Sequence, residues 1–362
     1  MAKIRLIVVD DSALIRKVLT EIFNSDPDLE VVGVAADPFI ARDLIKQLNP
    51  DMITLDVEMP RMDGISFLRN LMRLRPMPVV MISTLTEKNA DVTLQALALG
   101  AVDYMPKPTV NVTKTLNDYA EELIAKVKTA AKAKIKYTEK SVAPAPGKAP
   151  VEPQEKHGVD AIIRADASSR PGKTRDKIIA IGASTGGTEA IKAVVKELPA
   201  DTPAIVITQH LPAAFSQSFA RHVDMASKMR ACIASHGQVV EPGTIYIAPG
   251  DQHMLLARDG NQYVIQLNDG VPVNRHKPAV DVLFRSVAQT AGANAVGVML
   301  TGMGADGAIG MKEMHDAGAK TVVQDEQTSV VWGMPGEAYK LGCADFVKPL
   351  QDVAGQILAM LK

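Results

Sequence analysis

Cysteine is scarce in this chain. Of 362 residues, only Cys232 and Cys343 carry a thiol. They lie far apart and in no metal-ligand spacing, which excludes a disulfide framework and a zinc cluster and suits a reducing compartment. No apolar run approaches the roughly 18 residues of a membrane span. The N-terminus, Met1-Ala-Lys-Ile-Arg-Leu-Ile-Val-Val-Asp10, meets acid too soon for a secretory signal and reads as a first β-strand. Net charge is also lacking: 40 basic against 41 acidic residues leave a formal -1, with no overall nucleic-acid or membrane signature. No internal repeat is visible. These absences point to a cytoplasmic location. What remains is ordinary globular composition, 47% hydrophobic and 22% charged, in a chain long enough for two or three domains.

Apolar runs alternate with helical periodicity from the start. Strands are expected at 4–9, 31–35, 51–56, 78–83 and 101–105. Helices are expected at 13–24, 40–48, from Gly64 to about Leu74, and at 94–99. Such alternation implies a parallel sheet with helices on both faces, and function at the carboxyl ends of the strands. Asp10 and Asp11 close the first strand, Asp56 the third and Ser83 the fourth, and Lys107 follows the fifth. One Asp at such a place is ordinarily a helix cap or a solvated loop residue. Five polar groups at successive strand ends ask for more. Clustered carboxylates repel unless a cation sits among them, and oxygen-only ligands favour Mg²⁺. A carboxylate can itself be a nucleophile and form an acyl phosphate.

This pattern resembles the response-regulator receiver domain, a flavodoxin-like fold, across residues 3–122. The resemblance implies Asp56 as phosphoacceptor and Asp10, Asp11 and Asp56 around Mg²⁺, joined by the backbone carbonyl of Glu58. It implies Ser83 and Lys107 as the phosphoryl-sensing pair and Tyr104 as the switch aromatic. Lys107-Pro108 matches a Lys-Pro that is often cis in that family.

Leu116, Tyr119, Leu123, Ile124 and Val127 recur at helical spacing, so the first domain ends in an amphipathic helix. From Ser141 to Lys173 the chain carries Pro144, Pro146, Pro150, Pro153 and Pro171, the composition of a semi-stiff linker. The domains are therefore expected at 1–122, with helix end and linker at 123–172, and at 173–362. Within the linker, Val159-Asp-Ala-Ile-Ile163 is either a docking patch or a chance apolar run.

The second half is again α/β. Lys177-Ile-Ile-Ala-Ile-Gly-Ala-Ser-Thr-Gly-Gly187 reads as buried strand, tight turn and helix, and fits G-x-S-x-G around Ser184. That places the hydroxyl near the positive end of a helix. A strand at 204–208 runs into Gln209-His210. Another at 295–300 runs into Thr301-Gly-Met-Gly-Ala-Asp306-Gly307. Short runs at 231–234, 243–248, 254–257 and 263–267 lie between turn residues, the last two as a hairpin. A serine hydroxyl needs a neutral imidazole to take its proton, and the imidazole needs a carboxylate to orient it. Ser184, His210 and Asp306 all follow strand ends at one edge. The Met303 N–H with that of Thr185 would form an oxyanion hole.

Taken singly, Ser184 could be a helix cap and Asp306 a turn residue. His157, His222, His236, His253, His276 and His315 lie on linker, helix or loop patterns. A phosphate-binding reading fails, because G-x-G-x-x-G does not fit and the P-loop Gly-Lys-Thr/Ser is missing. The order Ser…His…Asp differs from the Ser…Asp…His of α/β-hydrolases. A second doubly wound, Rossmann-like sheet with a β-hairpin is expected instead.

Six motifs resemble the chemotaxis protein-glutamate methylesterase family. They are Ile181-Gly-Ala-Ser-Thr-Gly-Gly187, Ile207-Thr-Gln-His-Leu-Pro212, Tyr246-Ile-Ala-Pro-Gly250, Val280-Asp-Val-Leu-Phe-Arg-Ser286, Leu300-Thr-Gly-Met-Gly-Ala-Asp-Gly307 and Gly333-Met-Pro335. The resemblance implies Ser184 as nucleophile, His210 as general base and Asp306 as its orienter. It implies glutamate γ-methyl esters and certain glutamines of chemoreceptor cytoplasmic domains as substrates, with no cofactor for the esterase step. It further implies a chemotaxis histidine kinase as phosphodonor, no nucleic acid, no membrane insertion and a monomer. An unphosphorylated receiver is expected to hinder access to Ser184. His276-Lys-Pro-Ala279 and Gly336 depart from the commoner family residues, which bears on receptor preference. The rival readings are a paralogous methylesterase for non-flagellar receptors, a phospho-controlled binding module with an inactive triad, and a DNA-binding regulator. The last needs a basic recognition helix, and none is visible.

Overall fold

The computed structural model describes residues 3–59, 62–84, 87–108, 113–133, 157–165 and 176–362. Most of the proline-rich stretch lies outside them. The chain divides into two compact units, Met1–Glu139 and Lys140–Lys362.

In the first unit, β1 (Ile4–Val9), α1 (Ala13–Asn24), β2 (Leu29–Ala35), α2 (Pro38–Leu48), β3 (Met52–Asp56), α3 (Gly64–Leu74), β4 (Val79–Ser83), α4 (Glu87–Ala98), β5 (Asp103–Pro106) and α5 (Thr113–Ala130) follow one another. The sheet order is β2-β1-β3-β4-β5, and every pairing is parallel. β3 and β4 are buried along their whole length. A strand covered on both faces has no polar side to show, hence their unbroken apolar runs. Local chemistry starts the helices: the Ser12, Asp37 and Asp63 side chains accept N–H bonds from the first turns of α1, α2 and α3. Strand order reverses between β1 and β3. The crevice this creates lies where Asp10 and Asp56 end their strands.

The second unit begins with β6 (Ile178–Ala183), α6 (Gly187–Lys196), β7 (Ile205–Gln209), α7 (Ala213–Ala226), β8 (Arg230–Ile233) and β9 (Thr244–Ile247). The hairpin of β10 (His253–Asp259) and β11 (Gln262–Asn268) then pairs antiparallel over its full length. After it come α8 (Val280–Ala291), β12 (Ala295–Met299), α9 (Ala308–Asp316), β13 (Lys320–Gln324), α10 (Met334–Lys340), β14 (Phe346–Lys348) and α11 (Leu350–Met360). The seven-stranded sheet has the order β14-β13-β12-β6-β7-β9-β8. All its pairings are parallel. Its switch point falls between β6 and β12. Phe284, Leu283, Val287 and Met311 join hairpin residues Met254, Leu256 and Ile265 in one core.

Several expectations shift. α4 starts at Glu87 rather than near Leu94, since its polar first turns carry little periodicity. α10 had no sequence signal, because Gly333, Pro335 and Gly336 read as a breaker, yet Pro335 sits in its first turn, where a missing N–H costs nothing. Among the described residues the cis peptide is Lys277–Pro278, not Lys107–Pro108. Val159–Ala161 forms a 3-10 turn whose Val159 packs with Leu255, Val273, Ala279 and Val282 of the second unit. This part of the expected linker therefore docks.

Candidate functional site

The second unit gathers Ser184, His210 and Asp306 at its switch point, from the ends of β6, β7 and β12. The elbow at Ser184 depends on Gly186, which has φ +77° and whose added Cβ would strike Val330. The elbow is tied down by its neighbours. The Ser184 N–H donates to Thr301 O at 3.1 Å, and the Gln209 amide donates to Ser184 O at 2.9 Å.

His210 Nε2 lies 2.8 Å from Asp306 Oδ2, and Nδ1 lies 3.2 Å from Ser184 Oγ. The hydrogen-bond network assigns the proton to Nε2, donated to the carboxylate. Nδ1 is then the acceptor for the serine hydroxyl. The ring thus faces its partners with its nitrogens opposite to the Nδ1-to-Asp arrangement of chymotrypsin-type triads. His210 is further held by His276, whose ring stacks on it at 3.7 Å between centroids.

Asp306 is buried and accepts from four donors. Besides His210 these are Asn274 Nδ2 at 2.9 Å, Val280 N–H at 2.6 Å and Asp281 N–H at 3.3 Å. Two of them are the first amides of α8, where the helix field favours an anion. Burial pushes the carboxyl up, but the His210 hydrogen bond and charge, with His276 and Asn274, outweigh it and hold it at about 2. Its neighbour Asp281 behaves oppositely: burial and the Asp306 charge push it up to about 7. Asn274 bridges the two carboxylates, donating to Asp281 Oδ2 at 2.7 Å as well.

The backbone amides of Ser184 and Gly302 are committed to Thr301 O and Val331 O. Neither is therefore spare for a developing oxyanion. Thr301 is braced too: its N–H donates to Gln324 Oε1 at 2.8 Å, and its hydroxyl donates to Thr185 O at 3.0 Å. Thr185 and Met303 flank this braced turn. Asn274, His276 and Gln324 lie outside the six motifs. Gln209 and Asp281 lie within two of them, at 207–212 and 280–286, but nothing in the sequence marked either side chain as part of the site.

The first unit gathers a second site. Lys107 Nζ lies 2.7 Å from Asp56 Oδ2 and 2.9 Å from Asp10 Oδ2. Asp10 Oδ1 accepts the Ser12 N–H at 2.9 Å, and Asp56 Oδ1 accepts the Glu58 N–H at 3.3 Å. Burial pushes Asp56 up to about 6, with the Asp10 charge adding to it and the Lys107 ammonium opposing both. Oxygens of Asp10, Asp11 and Asp56 lie within 4.8 Å of one another. Asp10 Oδ2 is buried and, apart from its ion pair with Lys107, makes no hydrogen bond among the described residues. A donor set of three carboxylates with one oxygen still unbonded fits a hard divalent cation. Ser83 is buried at the end of β4, and its hydroxyl donates to Thr84 O at 3.4 Å. Tyr104 is buried on β5 with Lys126 Nζ 5.2 Å from its ring centre.

Fold and site together define a class: a phosphoacceptor-type receiver unit joined to a doubly wound unit bearing a Ser-His-Asp relay. The response regulator receiver domain model matches residues 6–117, and the CheB methylesterase model matches residues 179–357. A protein-glutamate methylesterase/protein-glutamine glutaminase of Hydrogenovibrio crunogenus is 55% identical, with 100% of each chain covered. One from Xanthomonas campestris pv. campestris is 56% identical over 99% of this chain and 97% of its own. The crystal structure of the Thermotoga maritima CheB methylesterase catalytic domain is 34% identical, covering 52% of this chain and 100% of that one, with a TM-score of 0.51. The chain belongs to the protein-glutamate methylesterase/protein-glutamine glutaminase family. No described helix is long and apolar enough to cross a membrane.

Proposed function

We propose that this chain removes methyl groups from glutamate γ-methyl esters of chemoreceptors and deamidates receptor glutamines, under phosphorylation control, as an adaptation enzyme of chemotaxis in the cytoplasm. The observation that carries the reading is the Ser184–His210–Asp306 relay, 3.2 Å and 2.8 Å across its two links, within reach for proton transfer.

Ser184 Oγ attacks the γ-carbonyl carbon as its proton passes to His210 Nδ1. Asp306 holds the Nε2–H and offsets the imidazolium that forms. The carbonyl oxygen becomes an oxyanion facing the Thr185 and Met303 amides. The C–O bond breaks and methanol leaves with the proton from Nδ1. Water then attacks the acyl-enzyme and gives a proton to the same nitrogen, which returns it to Ser184 Oγ as the acyl C–O bond breaks; the product leaves as a glutamate carboxylate, its remaining proton lost to solvent. With a glutamine substrate ammonia is the leaving group, so one acyl-enzyme serves both reactions.

In the receiver, Asp56 accepts a phosphoryl group from a histidine kinase. Asp10, Asp11 and Asp56 would hold Mg²⁺, which supplies charge neutralisation at the phosphoryl oxygens when bound. Lys107 shifts from Asp56 toward the phosphoryl group, and Ser83 and Tyr104 answer that shift. Control then lies in how readily Ser184 is reached. The test is methanol release from a methylated receptor. Ser184→Ala should abolish it, and a small phosphodonor should raise it in the parent but not in Asp56→Asn. Activity that survives Ser184→Ala, or is indifferent to both phosphodonor and Asp56→Asn, would overturn the reading.

A further inference from the structure

We propose that the segment His157–Arg164, inside the proline-rich stretch, is a working part of the hydrolase. It acts as a strap that positions the loop carrying Asn274 and His276 against the triad. This rests on the reading of Ser184, His210 and Asp306 as the reacting groups.

The strap is attached at four points. His157 O accepts the Asn274 N–H at 3.2 Å. Val159 is buried against Val273, Ala279 and Val282. The Asp160 carboxylate meets Arg285 at 2.5 Å, and Arg285 also donates to Ile163 O at 3.0 Å. Gln289 Nε2 donates to Arg164 O at 2.8 Å. Arg285 is no casual surface partner. Its side chain is 5% exposed, and Glu313 takes its other face through two bonds of 2.8 Å and 2.6 Å. A fork held on one side presents its remaining N–H groups in fixed directions. The strap supplies their acceptors.

The loop under the strap turns tightly, with Val273 and His276 exchanging backbone hydrogen bonds of 2.9 Å and 2.8 Å. Asn274 and Arg275 at its tip both have positive φ, 52° and 70°, uncommon for residues other than glycine; the turn fixes the shape of the tip, and contacts from outside set where the tip sits against the triad. From the far side, His253 accepts the Ala279 N–H at 3.2 Å and bonds Val271 O at 2.9 Å. Strap and His253 thus grip the loop at both ends. Between the grips lie the two contacts that reach the triad. Asn274 Nδ2 donates to Asp306 Oδ1 at 2.9 Å, and the His276 ring lies on His210. Among the described residues no hydrogen bond or ion pair joins the strap to Ser184, His210 or Asp306. Its residues position others, so their loss should lower the chemical step and leave substrate affinity alone.

The experiment uses the full chain and a methylated receptor, with kcat and KM read from methanol release. Asp160→Ala and Val159→Ala should each lower kcat, by about three- to tenfold for a relay displaced by a fraction of an ångström, with KM nearly unchanged. Combined with Asn274→Ala, their effects should be markedly less than multiplicative, because they act through that residue. Circular dichroism and Tm check folding. If Val159→Ala melts the domain, Asp160→Ala decides, since that side chain is 72% exposed. A folded Asp160→Ala variant with parental kcat, or losses that multiply fully with Asn274→Ala, would overturn the strap. Activity surviving Ser184→Ala would instead sink the underlying hydrolase reading.

Discussion

His276 lies flat on His210, ring centroids 3.7 Å apart and planes within 13°. The central imidazole of the relay is therefore held by its two nitrogens at the ring edge and by a second imidazole on its face. An edge held at two atoms still allows rocking about the line joining them, and the stacked ring removes that freedom.

Replacing His276 by alanine should lower kcat by about tenfold, the size expected when an aligned relay becomes one of several conformers. His276→Phe keeps a flat ring and should recover much of the loss. Methanol-release kinetics on both variants check this, and equal losses for Ala and Phe would show that the platform is not what matters.

Asp306→Asn should cost about 10³- to 10⁴-fold in kcat, because an amide cannot keep the Nε2–H tautomer or offset the imidazolium. It should also destabilise the second unit, since the amide turns an NH₂ toward some of the four donors around it. The carboxyl is held below its usual value, at about 2. Its stabilisation is thus fully present above about pH 4 and is lost as pH falls toward 2. Acid unfolding of the parent and the variant, followed by circular dichroism, should therefore differ most in slope over that window.

At the receiver edge the sign is opposite. Asp56 is raised to about 6, so below that pH it takes up a proton and stays neutral, while above it the buried charge opposes folding unless it is compensated. A divalent cation should therefore raise the Tm of the receiver unit more at pH 8 than at pH 5. Asp56→Asn should abolish most of this dependence. A cation effect independent of pH would argue against Asp56 as part of the site.

His253 is fully buried and hydrogen-bonded through both ring nitrogens. Burial pushes it below the usual histidine value, against the Val271 carbonyl that favours its charge. A neutral buried histidine must gain a charge to follow the unfolded chain in acid. Stability should thus be full above about pH 6.5 and fall as pH drops below it. Comparing the pH dependence of Tm for the parent and His253→Gln checks this, and identical slopes would remove His253 from the account.

Much of this protein was legible in its sequence because the signals are local. Buried parallel strands must be apolar throughout, so β3, β4, β6 and β12 stand out as runs. A parallel sheet places its chemistry just past those runs, so Asp10, Asp56, Ser184, His210 and Asp306 could be named by position alone. What surrounds the relay was not legible. Asn274, His276 and Asp281 come from a loop and a helix start, with no periodicity to mark them. They reach Asp306 and His210 only because the hairpin β10–β11 packs on α8 and turns that loop inward. The orientation of the His210 ring is likewise a tertiary matter, since either nitrogen could face either partner until the surrounding donors are placed. Val159–Ile163 makes the same point. Five residues could be a chance apolar run or a docking patch, and only the buried Arg285 and the pocket between Val273 and Val282 decide that they dock. The chain alone determined which chemical groups meet at each sheet edge, because strand ends are set by local pattern. How those groups are held, tuned and oriented was decided by contacts between residues far apart in sequence, whose strength depends on burial that no local pattern encodes.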